Sequence, residues 1–470
     1  MNQRPSTITT VLPGLLLAML LGALDQTIMA PALSSIARDL GDLADMPAVM
    51  TAYLAAATAA MPVYGKLGDR FGRGVVIQVA LVLFVLGALL CPLATSVPQL
   101  AAFRVLQGLG GGGLSIGAQA ILGELVSPRE RGRYLGQMGA AYVVAAVGGP
   151  LIGGLITDHF GWRWIFAIYP PLGLLAAAVL ARTLRLPRPR PGAAPPVDYL
   201  GAAALAGTVA ALVLYGQTGS PVALLVALAA AAAWLVSARH AADPVLPLRL
   251  FRDRSFTVPV AVSFLVGFAL FGTVTYVPAW AGLAMGVPAS QAALMLTGLM
   301  AGVLLTTVAS GRMITRTGRY LVYPITGTAL AAIGLALASW LLATDTEPRI
   351  LVAATLVLIG LGIGCVVQVM VLIAQNGAEH ADLGTATSAV TFFRQIGASL
   401  GVAVVGALIS RHVALQGAAT SDGGQAMGHA LALAFGAVAP VLVVACVLTL
   451  TLPARPLRTT AHVDDLVEER

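Results

Sequence analysis

The stretch GKLGDRFGR at residues 65–73 recurs as GRMITRTGR at residues 311–319, 246 positions further along the chain. Both copies carry glycine at the first and eighth positions and arginine at the sixth and ninth. Three more glycine pairs repeat at an offset of 248 residues: Gly136 with Gly384, Gly149 with Gly397, and Gly153 with Gly401. The sequence therefore predicts two halves built on one plan.

The composition places both halves in lipid. Apolar residues make up 58% of the 470 positions, charged residues only 10%, and the mean hydropathy is +0.89. The charges separate apolar runs of about 18 to 25 residues, the length at which a helix spans a bilayer. These runs lack the alternation of a barrel strand, so we expect an all-α membrane protein. The fourteen predicted spans lie near 11–33, 46–64, 75–95, 98–122, 135–157, 162–182, 199–217, 221–238, 257–279, 289–310, 321–343, 350–374, 384–409 and 427–451.

The seventh and eighth spans are the weakest of the fourteen, because residues 221–238 are short and rich in alanine. Without that pair the number of spans falls to twelve. The first run is too long for a signal peptide and contains Asp25, so we expect it to be retained as the first helix.

Basic residues fix the expected orientation. With a cytoplasmic N-terminus, 21 of the 27 basic residues fall on the inside, and only Arg104 and Arg394 lie within spans. This bias predicts that both termini are cytoplasmic, in the cell inner (plasma) membrane. The net charge of +7 is therefore accounted for by topology, and no nucleic-acid partner is expected.

The proline- and arginine-rich segment RLPRPRPGAAPPVD cannot enter lipid and marks a boundary between the halves. The seventh and eighth predicted spans follow this segment as a helical hairpin, each about eighteen residues long. The hairpin has no counterpart in the repeat, and we interpret it as a peripheral insertion. The predicted units are an N-terminal six-helix bundle (1–184), a cytoplasmic linker (185–198), an inserted helix pair with its loop (199–254), a C-terminal six-helix bundle (255–453) and a cytoplasmic tail (454–470).

Four motifs in order carry a family resemblance: LDQTIMAPALSSIA (24–37), GKLGDRFGRG (65–74), RVLQGLGGGG (104–113) and GGPLIGG (148–154). Together they resemble the major facilitator superfamily, and within it the fourteen-span drug:proton antiporters. The resemblance implies the major facilitator fold, two six-helix bundles plus an inserted hairpin. It also implies export of small amphipathic compounds in exchange for protons. No cofactor is expected, and the proton gradient would supply the energy.

Asp25 is the only acid in the interior of any predicted span. A carboxylate at that depth costs at least roughly 2.5–3.5 kcal/mol on insertion scales, so it must be paired, face water or be protonated. Burial favours the neutral form, and we predict that Asp25 carries the coupled proton or contacts substrate. Two alternatives stay open: a permanent pair with an arginine, or a capping acid near the external surface.

The two arginines within spans are candidates to act with Asp25. We expect Arg104, with Gln107 one turn later, to hydrogen-bond into the first helix and tune Asp25; the alternative is that Arg104 extends to the outer surface. Arg394 is either the partner of Asp25 or a site for an anionic or carbonyl-bearing ligand. The predicted substrate cavity comprises Tyr53, Gln107, Tyr142, Tyr276 and Arg394.

The loop after the second span is predicted to be a conformational latch, formed by Gly65, Asp69, Arg70, Arg73 and Glu124. Asp69 can accept hydrogen bonds from the free amides at the start of the thirteenth span, near Gly384. The resemblance implies that Arg73 pairs with Glu124. Thr315 stands where Asp69 does in the other copy, so the latch should be one-sided. The alternative is that these charges only anchor the loop at the lipid headgroups.

The run around Gly149, Pro150 and Gly153 places small residues on one face of the fifth span. We expect it to let the helix bend at the interface between the halves, and the resemblance associates this pattern with antiporters. Ordinary tight packing would explain the same spacing.

No enzyme activity is predicted, because the chain has no nucleotide-binding motif and no metal-ligand spacing. The expected partners are a small-molecule substrate, protons and the lipid bilayer, and we expect a monomer. Three other functions stay open: a dedicated exporter of one metabolite or lipid, a proton-coupled importer, and a membrane sensor without transport.

Overall fold

A computed structural model of the chain describes residues 8–41, 46–186, 198–278, 280–281, 289–344, 349–416 and 423–458. The regular structure in these ranges is entirely helical. Fourteen of its helical segments are long and apolar enough to cross a membrane, which confirms the predicted number. The doubtful pair is present as the spans Tyr199–Gly216 and Pro221–His240.

The N-terminal half consists of seven helices, of which α1 and α2 together make the first span. The glycine-rich α5 lies at its centre and packs against α1, α3 and α4. The bounds are α1 Ile8–Ile28, α2 Leu33–Leu40, α3 Met46–Phe71, α4 Arg73–Leu90, α5 Val97–Leu125, α6 Pro128–Phe160 and α7 Tyr169–Thr183.

The inserted hairpin consists of α8 (Tyr199–Thr218) and α9 (Pro221–His240). Asp198 caps α8 by accepting a hydrogen bond from the Gly201 amide at 2.7 Å. The predicted linker falls largely outside the described residues, which stop at Leu186 and resume at Asp198.

The C-terminal half repeats the plan, with α13 and α14 making one span. The bounds are α10 Arg254–Val274, α11 Ala289–Thr317, α12 Val322–Ala343, α13 Arg349–Gly364, α14 Val367–Gly377, α15 Leu383–Gln416 and α16 Gly423–Leu450. Of the predicted tail, residues 454–458 are described.

The repeat noted in the sequence is present in the backbone. Gly72, between α3 and α4, has φ 93°, and its match Gly318, directly after α11, has φ 72°. L-residues with a Cβ rarely adopt this conformation, so both turns require glycine. The same tight turn therefore reverses the chain after the second span of each half.

The halves meet where the two repeated segments lie. Their first seven residues were expected to form loops but continue α3 and α11 as helix, and only the turn that follows each helix is non-helical. Gly65 on α3 packs against Gly384 and Ser388 on α15, and Gly132 on α6 packs against Gly311 on α11. We call this side the arginine-rich face. It contains the end of α3, the start of α6, the end of α11, the start of α15 and the segment 453–458, and these parts of the chain contact one another there. The halves are in direct contact at this face.

The inserted hairpin is attached along the seam between the two halves. Helix α8 packs against α3 of one half and α15 of the other. Leu205 and Val209 of α8 share a buried cluster with Met61 of α3 and Phe392 of α15. The hairpin had no counterpart in the repeat, so its docking position could not be inferred from the symmetry of the halves.

Candidate functional site

Asp25 lies near the end of α1, and its side chain is fully buried (0% exposed). The Arg104 Nη1 atom on α5 donates to both carboxylate oxygens, at 2.8 and 2.7 Å. The Gln107 amide nitrogen donates to Asp25 Oδ1 at 3.0 Å, and Arg104 Nη1 also donates to Gln107 Oε1 at 2.9 Å. The predicted contact between Arg104 and the first helix is confirmed.

The two alternatives that placed these charges at the surface are wrong. Arg104 is 1% exposed, so it does not extend to the outer surface. Asp25 is inside the helical part of α1 and is held by the side chains of α5, so it is not a surface cap. A charge pair this deep is tolerated in lipid because the carboxylate and guanidinium satisfy each other.

Two residues assigned to the substrate cavity belong instead to this buried cluster. The Tyr53 ring lies under the Arg104 guanidinium, 4.3 Å from ring centroid to Cζ, and its hydroxyl donates to the Gly22 carbonyl at 3.3 Å. Gln107 is fully buried. Its side-chain amide nitrogen donates to Asp25, and its side-chain oxygen accepts from Arg104. We correct both assignments, because these groups are already satisfied within the N-terminal half.

Glycines on α5 explain why the cluster is so compact. A Cβ atom at Gly111 would overlap the Tyr53 hydroxyl, and one at Gly112 would overlap the Ala57 carbonyl. The glycine run therefore provides a packing surface that lets α3 approach α5 closely. Tyr169 of α7 is a further member that the sequence did not reveal: it is fully buried and interacts electrostatically with Asp25.

Arg394 is not the partner of Asp25. It lies on α15 in the other half, is partly exposed, and forms no ion pair with any residue that the structure describes. Its backbone packs closely on Gly267 of α10. Its electrostatic neighbour is Tyr142, a half-buried residue of α6 from the opposite half.

Tyr276 follows the end of α10, and its hydroxyl donates to the Val402 carbonyl of α15 at 2.7 Å. The phenol is therefore tied to the C-terminal half. Of the five predicted cavity residues, Tyr53 and Gln107 both contact Arg104, and Tyr142 interacts electrostatically with Arg394.

Gly149 and Gly153 pack against α1, within the N-terminal half. A Cβ atom at Gly149 would overlap Thr27 Oγ1, and one at Gly153 would overlap the Ile28 carbonyl. Pro150 is exposed on the other face of α6. The expectation that this run lies at the interface between the halves is wrong, because Gly149 and Gly153 bring α6 onto the segment that follows Asp25.

The interface between the halves uses an earlier set of glycines on α6. A Cβ atom at Gly136 would lie 3.0 Å from the Thr307 carbonyl of α11, and one at Gly132 would lie 2.9 Å from the Gly311 carbonyl. The sequence repeat singled out Gly136 but did not show which helix it faces. Helix α6 thus contacts α1 at one end and the opposite half at the other.

The contacts predicted for Asp69 are present at the arginine-rich face. Asp69 accepts from the backbone amides of Gly384 and Thr385, at 2.8 and 2.9 Å, and from the Thr385 hydroxyl at 3.1 Å. These amides start α15, where the helix has free donors and positive potential. The contact joins the two halves, and the alternative of a loop anchored only to headgroups is not what the structure shows.

Arg73 completes the latch on the N-terminal side. It donates to Glu124 at 2.7 Å, to Asp69 at 2.7 Å and to the His380 carbonyl at 3.2 Å. The implied Arg73–Glu124 pair is confirmed. Arg73 holds Asp69 in place and also reaches the opposite half itself.

The other arginine predicted for the latch, Arg70, lies beside an acid that follows the inserted hairpin. Its guanidinium lies 3.7 Å from the Asp243 carboxylate, which also pairs with Lys66. Asp243 lies in the connector that leads from α9 to α10, and the same connector carries Arg249, which pairs with Asp382 at 2.8 Å. The connector therefore bonds to both halves, through acids that no motif in the sequence marked.

The C-terminal copy of the repeated segment makes a weaker contact. Thr315 accepts a single hydrogen bond from the backbone amide of Arg133 on α6, at 3.2 Å. It stands where Asp69 stands in the first copy, so one neutral hydrogen bond replaces three bonds to a carboxylate. This contrast agrees with the predicted one-sided latch.

Comparisons with known proteins cover both halves. A family model described as Major Facilitator Superfamily matches residues 15–402. An uncharacterised MFS-type transporter of Mycobacterium tuberculosis is 39% identical over 409 residues, which make up 85% of this chain and 59% of that relative. This chain therefore spans less than two thirds of that relative's length.

Two further comparisons agree. The multidrug transporter protein MdtP of Bacillus subtilis is 33% identical over 422 residues, 87% of this chain and 76% of MdtP. Among solved structures, the proton:xylose symporter XylE superposes with a TM-score of 0.69 at 16% identity, covering 98% of each chain. At that identity the XylE likeness shows the fold alone.

Proposed function

Because the chain belongs to the major facilitator superfamily, we propose that it exports small amphipathic compounds in exchange for protons, by alternating access between its two halves. Efflux is favoured by relatives that bear the names multidrug transporter and efflux pump. The observation that carries the proton part of the proposal is the buried Asp25–Arg104 pair.

Protonation of Asp25 would change the geometry of this pair. The carboxylate accepts bonds from Arg104 and Gln107, a set of donors that suits its ionised form. A bound proton removes the negative charge and converts one oxygen to a donor, so at least one of these bonds is lost. Arg104 is then left with its charge uncompensated in a dry interior, which favours movement of α1 relative to α5.

Helix α6 provides the route from this change to the interface between the halves. Thr27, two residues after Asp25, donates to the Ala145 carbonyl of α6 at 3.0 Å. The opposite end of α6 packs on α11 through Gly132 and Gly136. Displacement of α1 would therefore move α6, a helix that contacts both halves. Coupling of protonation to the exchange between two conformations requires such a connecting element.

The latch would determine which side opens. With Asp69 bound to the start of α15, the arginine-rich face is closed. If this face is cytoplasmic, the closed latch corresponds to the outward-facing state. A proton that enters from outside would neutralise Asp25, release substrate and allow the return to the inward-facing state.

The test is transport in proteoliposomes under an imposed pH gradient, with a panel of fluorescent amphipathic compounds. Wild-type protein should move substrate against the proton flux, and Asp25→Asn should lose all gradient-driven movement. Asp39→Asn is the matched control, since this acid lies on α2 with its side chain 48% exposed. It should keep wild-type rates.

A second assay separates lost coupling from lost folding. Exchange of labelled for unlabelled substrate at equal pH requires binding and conformational change but no proton gradient. Asp25→Asn should retain this exchange. Undiminished gradient-driven transport in Asp25→Asn would contradict the assignment of Asp25, and movement of substrate with the protons would show an importer instead.

A further inference from the structure

Arg394 is a charge in the membrane interior that the protein leaves without a counter-ion among its described residues. It lies eleven residues after the start of α15, and its side chain is partly exposed within the described structure. The interior acid Asp25 bonds to Arg104 and Gln107. The three interior charges therefore comprise one neutral pair and one free cation, among the residues that the structure describes.

Such a cation is costly unless something satisfies it. A lone arginine at the centre of a bilayer costs at least roughly 2.5–3.5 kcal/mol on insertion scales, and it lies where it pairs or lines a water-filled cavity. Arg394 retains partial exposure, which fits a group that faces the space between the halves. A guanidinium in such a space binds carboxylate, sulfonate or phosphate through paired N–H donors.

The group that faces Arg394 comes from the opposite half. Tyr142 interacts electrostatically with Arg394 on one side and with Tyr53 of the Asp25 cluster on the other. Tyr142 is three residues after Gly139 on α6, and Gly139 contacts Thr307 and Gln368 of the C-terminal half. Its position one turn further along that face directs it to the same space between the halves.

We propose that Arg394 and the Tyr142 hydroxyl form a subsite for an anionic group of the transported compound. The substrates it favours are amphipathic organic anions and zwitterions that carry a carboxylate, sulfonate or phosphate. This inference rests on the proposed export function and specifies the substrate class. Since Arg394 and Tyr142 belong to different halves, a bound anion contacts both halves and can affect the position of each.

The experiment compares three compounds on one naphthalene scaffold, which carry a carboxylate, a methyl ester or a trimethylammonium group. Binding to the full-length protein in phosphatidylcholine vesicles is followed by quenching of tryptophan fluorescence. We expect wild-type protein to bind the carboxylate most tightly. Arg394→Gln should weaken carboxylate binding about tenfold or more, and leave ester binding within about twofold, because only the charged hydrogen bonds are lost.

Two further variants define the role of the charge. Arg394→Lys should recover part of the carboxylate affinity, since it keeps the charge and loses the paired geometry. Arg411→Gln is the matched control, because Arg411 is an exposed arginine on the same helix. It should bind all three compounds as wild type does.

Several outcomes would overturn the proposal. These are equal loss of carboxylate and ester binding in Arg394→Gln, unchanged carboxylate binding in that variant, or wild-type protein with no preference for the carboxylate. Vesicles that contain phosphatidylglycerol test whether a lipid headgroup is the true occupant. If this lipid weakens carboxylate binding to wild type, the occupant is lipid and the substrate proposal fails.

The transport assay distinguishes this inference from the function on which it rests. If the carboxylate binds through Arg394 but no compound moves under an imposed pH gradient, the proposed function fails and the subsite stands. If the cation and the ester are exported in exchange for protons while Arg394→Gln has no effect on carboxylate binding, the function stands and the subsite fails.

Discussion

The two halves of the molecule place glycines at equivalent turns and helix contacts, but they place charged groups differently. Gly153 packs on the Ile28 carbonyl of α1, and Gly401 packs in the same way on the Phe268 carbonyl of α10. Since Phe268 corresponds to Ile28, Leu265 in the C-terminal half corresponds to Asp25 in the N-terminal half. In the repeat of offset 248, Arg394 corresponds to Ala146.

The glycines and the charged residues therefore have different roles in the two halves. The glycines determine how closely helices approach, and the proposed alternating access would require the same approach in both halves. The charges determine what each half responds to. The N-terminal half carries a buried ion pair, and the C-terminal half carries a cation without an acid among its described neighbours.

The largest expected difference between the halves is the effect of removing each interior arginine. Arg104→Met leaves Asp25 buried without its cation, which should lower the free energy of unfolding by about 3–5 kcal/mol. Arg394→Met removes a charge that has no counter-ion, so stability should stay unchanged or rise by about 1–3 kcal/mol. Thermal unfolding of both variants in one detergent measures the contrast. Equal destabilisation would mean that Arg394 is paired in the protein and that the comparison fails.

The latch offers a smaller contrast. Asp69→Asn removes the charge that binds the start of α15, which should weaken closure by about 1–2 kcal/mol. Labelling of Ser388→Cys by an impermeant maleimide reports closure, because Ser388 is buried against Gly65. The background replaces Cys91, Cys365 and Cys446. We expect labelling to rise about five- to thirtyfold; no rise would show that the latch does not limit opening.

The reciprocal change introduces an acid near the end of α11. Thr315→Asp should convert its neutral bond with Arg133 into a charge-assisted one and favour closure by about 0.3–1 kcal/mol. In the same assay, labelling of Ser388→Cys should fall about two- to fivefold. Increased labelling would show that an acid at this position opposes closure.

The smallest effect is expected at the connector between α9 and α10. Asp243 is 22% exposed, so its pairs with Lys66 and Arg70 are screened by water, and Asp243→Asn should cost less than about 1 kcal/mol. The change in Ser388→Cys labelling should be visible at low salt and vanish at high salt. An effect that persists at high salt would indicate that the connector acts by packing.

The fold and much of the site were predictable because they rest on strong local signals. Apolar length defined fourteen spans, and the repeated glycines identified the two halves. The contact of Asp69 was predictable because the free amides at a helix start are good donors to a nearby carboxylate. The Arg73–Glu124 pair was expected from the family resemblance alone.

The predictions that were wrong concern which helices contact one another. Spacing shows that Gly149 and Gly153 share a face, but not whether that face meets α1 or the other half. Tyr53 and Gln107 are polar groups in apolar helices, and sequence cannot tell a cavity wall from a satisfied cluster. The pairs of Asp243 depend on how the hairpin docks, and this docking has no repeat to reveal it.

The central claim is that substrate and proton are linked through Asp25. Addition of a transported substrate to purified protein in weakly buffered solution tests it directly, because linkage requires a change in bound protons when substrate binds. Wild-type protein should release protons on substrate addition, up to about one per transporter, since one interior acid is available. Asp25→Asn should bind substrate without proton release, and equal proton release from the two proteins would contradict the account.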